Sequence, residues 1–156
     1  MQKFIAAFLW LLSVPTLAND NVGCAKVGAS MYIGLTDAIV NDLKINPDQI
    51  IRDNVAVEVL SILPISKLYA EQLADYDYKH QPLDVLDKED YLEGYTTNDV
   101  KIIVAKYTYR NIKNQKNIFI ASSLQNNNEC SLRFNGYLII NREFQFIVIY
   151  LYNMNI

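Results

Sequence analysis

Four apolar segments in the final third of the chain decide its fold: DVKIIVAKYTYR at residues 99–110, NIFIASSL at 117–124, CSLRFNGYLII at 130–140 and FQFIVIYLY at 144–152. Each is rich in Ile, Val, Phe and Tyr, whose branched or aromatic side chains fit a pleated, half-buried surface. Polar breaks separate them (NIKNQK, QNNNE and NRE), and short breaks of this kind between such runs mark turns. The region therefore predicts an antiparallel meander. In the third segment Cys130, Leu132, Phe134, Leu138 and Ile140 alternate with Ser131, Arg133, Asn135 and Tyr137, a pattern that turns Cys130 inward. Gly136 interrupts the alternation and marks a bulge or a close backbone approach. The fourth segment is apolar on both faces, as in a strand packed on both sides or placed at an interface.

Working outward, Val55, Val57 and Val59 share one face of a further strand that Pro64 ends. Ser66 caps a helix from Lys67 to about Tyr78, with Leu68, Tyr69, Gln72, Leu73 and Tyr76 in one stripe that should lie against the sheet. Residues 82–98 form an acidic connector with a turn of helix from Lys88 to about Glu93 and a stop at Gly94. Nearer the start, residues 19–35 read as an arm with a strand near 31–35. Thr36 then caps a short helix to about Lys44, and Asn46-Pro47 opens a second one. The fold class expected is α+β, with short N-terminal helices and one main helix packed on an antiparallel meander sheet of four to five strands.

The first 18 residues read differently. Lys3 precedes an apolar stretch eleven residues long at 4–14, and Thr16 and Ala18 follow as small residues. A basic start, a 7–15-residue apolar core and an A-x-A-like site make a secretory signal peptide, too short to span a bilayer. Cleavage after Ala18 would leave one exported domain at residues 19–156, periplasmic or secreted. An oxidising compartment then pairs the two cysteines, Cys24 and Cys130, as one disulfide.

The chain carries 17 acids and 14 bases; losing Lys3 with the leader leaves 17 against 13, a net of −4. That sign excludes the electrostatics of a nucleic-acid binder. From Glu71 to Asp99 there are nine acids against two lysines, whereas from Val100 onward seven bases face two acids. The catalytic inventory is thin. His80 is the only histidine, no G-x-S-x-G frames a serine, and the five glycines form no phosphate-cradling loop. No cofactor and no metal site is expected. The eleven tyrosines stand out, because tyrosine buries a large area while keeping a hydroxyl for a partner.

These features together point to a small exported protein-binding domain, an inhibitor or immunity-type protein that occludes its partner, and not to an enzyme. The expected partner is another protein, with no nucleic acid and no stable membrane insertion of the mature chain. Candidate partner-binding residues are Asp87, Glu89, Asp90, Tyr91 and Tyr95 in the acidic connector, and Tyr107 and Tyr109 on the first meander strand. Two further readings share the fold: a small-ligand carrier with an apolar pocket between helix and sheet, and a carboxylate-dependent hydrolase using two connector acids.

Overall fold

A computed structural model describes residues 22–83 and 85–144. The expected leader and cleavage point, and all but Phe144 of the fourth apolar segment, lie outside the described residues. Within them the fold is α+β, with three helices on an open four-stranded antiparallel sheet. The strands are β1 (Val55–Pro64), β2 (Lys101–Arg110), β3 (Lys116–Gln125) and β4 (Arg133–Arg142), side by side in that order. The helices are α1 (Ser30–Leu43) before the sheet, and α2 (Lys67–His80) and α3 (Lys88–Thr96) inserted as a hairpin between β1 and β2.

The period of two sorts the sheet's side chains. Ile103, Ala105, Tyr107 and Tyr109 of β2 and Phe119 and Ala121 of β3 point to the inner face, where Met31, Tyr32, Leu35 and Ile39 of α1 pack on them. Val55, Val57 and Val59 join this core from β1, as their alternation predicts. Two inner tyrosines keep their hydroxyls satisfied. Tyr107 donates to the Ala25 carbonyl at 2.7 Å, and Tyr109 Oη lies 3.1 Å from Thr36 Oγ1. The Cys24–Cys130 disulfide adds a second tie between the N-terminal arm and the sheet. A smaller core of Ala70, Leu73, Ala74, Tyr95, Val100 and Leu124 seats the α2–α3 hairpin at one end of the outer face.

Several expectations are corrected. Residues 31–35 are not a strand, because α1 already begins at Ser30. Met31, Leu35 and Ile39 recur every four residues, and the buried face they form outweighs the β-propensity of any one of them. Thr36 is therefore mid-helix, not a cap. In α2, Ser66 does cap, accepting from the Tyr69 amide at 3.2 Å, but the buried side is Ala70, Leu73 and Ala74. Leu68 and Tyr76 are exposed, since small alanines let α2 approach α3 instead of lying flat on the sheet. Gly94 does not stop α3, which runs on to Thr96.

In β4 the register slips twice, leaving Asn135 and Ile140 without opposite partners. Gly136, at φ +117°, sits at the first slip, so the expected bulge is present. Its consequence was not legible: the bulges break the single inward row, and Leu138 and Ile140 are exposed while Tyr137 packs edge-on against Phe119. Cys130 stands in the loop before β4, exposed and not inward-pointing.

Candidate functional site

The α2–α3 hairpin carries most of the acidic run, and its connection shows how that run is used. Gln81 follows α2 and its side chain reaches across the loop. Its Oε1 accepts from the amides of Val85 at 3.3 Å and Leu86 at 3.2 Å, and its Nε2 donates to the Leu86 carbonyl at 2.9 Å. The Tyr91 hydroxyl donates to the same Oε1 at 3.4 Å. One amide thus braces the loop from inside, so its backbone needs no apolar side chain packed beneath it. Leu83, Val85 and Leu86 are consequently turned outward, 71%, 72% and 44% exposed.

The loop stands on a fixed base. Asp75 on α2 accepts from Lys79 at 2.6 Å and from Lys88 of α3 at 3.0 Å, and these two cations hold its carboxyl below the usual range. Asp77 ties the hairpin to β4, taking Arg133 Nε at 2.9 Å and Nη2 at 3.1 Å, with the Tyr95 hydroxyl as a third donor. Burial raises the Asp77 pKa, but the bonds from Arg133 and Tyr95 outweigh it and leave it lowered. Tyr76 lies under the Arg133 guanidinium at 5.8 Å and stacks on His80 at 4.0 Å, while His80 Nδ1–H donates to the Tyr76 carbonyl at 2.7 Å. His80 is therefore engaged at the end of α2 and has no nucleophile beside it in these contacts.

Each candidate residue can now be placed. Asp87 and Asp90 close a capping box at the start of α3, the Asp90 carboxylate accepting from the Asp87 amide at 2.9 Å. Glu89 is exposed on the first turn of α3. Tyr91 is half-buried against Gln81, and Tyr95 is buried on Asp77. Tyr107 and Tyr109 lie in the inner core, and burial pushes both phenols well above their ordinary pKa. Their positions give them no surface to offer a partner.

The structure brings Asp87, Asp90 and Tyr91 together, but as supports of the loop. Sequence reasoning missed the residues those supports present, Leu83, Val85 and Leu86. The signal available was PLDVLD, apolar residues packed into a stretch bounded by Pro82 and the Asp87 cap. Two of the connector acids, Asp87 and Asp90, are spent on the cap. Among the described residues no group of three or more His, Cys, Asp or Glu side chains could hold a metal ion, and no helix is long and apolar enough to cross a membrane. No protein-family model, curated protein or solved structure matches this chain.

Proposed function

We propose that the protein is an exported binding domain that occludes a partner protein, with the Gln81-braced loop as its anchor. The observation that carries the reading is the brace itself: four hydrogen bonds to one side chain fix a loop that exposes three large apolar side chains. A fixed loop loses little conformational freedom on docking, which is how preorganised binding loops gain affinity. Burying three such side chains is worth about 1.5–3 kcal/mol each. Association itself costs about 4–15 kcal/mol, so the loop is an anchor and not the whole interface. Exposed Tyr76 and Tyr78 on the last turns of α2 and the carboxylate of Glu89 extend the surface. The acidic charge around the loop would steer encounter with a basic partner.

The test is capture from an exported-protein fraction by the intact chain. A specific partner should be retained by the wild type and lost with Leu83→Asp combined with Val85→Asp, while Tyr107→Phe retains it. Capture that survives the double variant sinks the loop as anchor. The export half is checked separately by the mass of the protein recovered from cells, which should begin at Asn19; a product still carrying Met1 would count against it.

A further inference from the structure

On the outer face of the sheet, where α2 stops short of covering it, a groove of about 410 Å3 lies between Tyr69 and the strands. Val104, Ile120 and Leu138, on three neighbouring strands, form its floor. Ser122 and Asn135 stand together in its lining, where Asn135 Nδ2 donates to Ser122 Oγ at 3.2 Å and Asn135 Oδ1 accepts from Arg133 at 3.1 Å. The groove is open beside Gly136, where an added Cβ would meet nothing within 4 Å. The volume is in the range of small-molecule sites, which combine apolar walls with a few placed polar groups.

The polar groups define the ligand. Ser122 and Tyr69 both line the groove, and neither hydroxyl proton has a hydrogen-bond acceptor among the described residues, which leaves two O–H groups for a ligand. It offers no spare positive charge. Arg133 is held by both oxygens of Asp77, and Lys106 on the same face pairs with Glu58. An anion would leave water without a countercharge, at a cost of several kcal/mol, whereas a neutral carbonyl oxygen accepts from both hydroxyls.

We propose that this groove binds a small amphiphile with a neutral carbonyl head, an aliphatic ester or amide. Tyr69 and Ser122 donate to its carbonyl oxygen, and Val104, Ile120 and Leu138 hold its chain. The site is separate from the Gln81-braced loop, so the two readings can fail independently.

The experiment is an amide-shift NMR titration of the intact, disulfide-linked chain with three probes below their micellar concentrations: methyl octanoate, octanoate anion and octyltrimethylammonium. The ester should shift the amides of Val104, Ile120, Ser122 and Gly136 saturably and bind tightest of the three. Tyr69→Phe and Ser122→Ala should each weaken it about three- to tenfold. Leu138→Asp should abolish it; that side chain is 65% exposed, so the variant keeps its fold. Leu83→Asp with Val85→Asp should leave ester binding unchanged. Equal binding of anion or cation, no response to the ester up to about millimolar, or indifference to Tyr69→Phe and Ser122→Ala overturns the proposal. So do shifts that follow protein concentration instead of ester, which would mean a second copy fills the groove.

Discussion

Asp77 shows how one carboxylate can hold two layers together. It takes three donors from two other elements, Arg133 on β4 and Tyr95 on α3, and only about a fifth of its side chain remains exposed. Because its folded pKa is depressed, its contribution is present above the unfolded value near 3.9 and is lost as pH falls through the lower folded value. Asp77→Asn should therefore cost about 2 kcal/mol near neutral pH, from lost charge-assisted bonds, and make stability less steep below about pH 4. Urea titrations at both pH values read this; an unchanged acid slope would count against Asp77 as the tie. Gln81 has the opposite character, half-buried and worth little to global stability. Gln81→Ala should leave the unfolding midpoint nearly unchanged and speed hydrogen exchange at Val85 and Leu86, whose amides it accepts. At this scale the acids of residues 87–90 were legible as acids. That Asp87 and Asp90 bond each other's backbone was not, because a capping box depends on where the helix starts.

Among the elements, α1 depends on a close approach. A Cβ added to Gly34 would sit 3.2–3.4 Å from Phe134 of β4, so the helix meets that strand with a glycine where other turns of α1 carry bulk. Gly34→Val should destabilise by about 2 kcal/mol through overpacking, despite gaining a better helix former. Thermal unfolding measures it, and a neutral result would mean that Phe134 can swing aside. Asp87→Ala should cost α3 about 1 kcal/mol and leave partner capture intact, separating a cap from a contact. The first two strands of the meander were legible because their alternation every two residues runs unbroken through β2 and β3. The first half of α1 was not, since ASMYIGL mixes small and apolar residues and shows its fourfold period only once the sheet supplies a face for Met31, Leu35 and Ile39.

For the molecule as a whole, the disulfide closes a separation of 106 residues, for which loop-closure entropy gives about 4–5 kcal/mol. Reduction, or Cys24→Ser with Cys130→Ser, should lower the unfolding free energy by about that amount. The near-ultraviolet spectrum should persist, because Tyr107 still holds the Ala25 carbonyl. Collapse of the fold on reduction would show that the hydrogen bond does not hold the arm alone. Among the described residues both outer strands of the sheet are bulged, β1 at Leu60 and β4 at Asn135 and Ile140, and bulges discourage strand addition from another chain.

Local chemistry alone settled the strands β1 to β4, the Ser66 cap and the cysteine pair, because these follow from side-chain type, short-range spacing and cysteine count. Only the tertiary structure decided which side chains reach the surface. Tyr107 and Tyr109 went into the core because α1 covers their face, and the bulges of β4 turned Leu138 outward. Leu83, Val85 and Leu86 were presented because Gln81 satisfied the loop's backbone from within. Exposure is a property of what packs above a residue, and spacing along the chain encodes only which residues share a face.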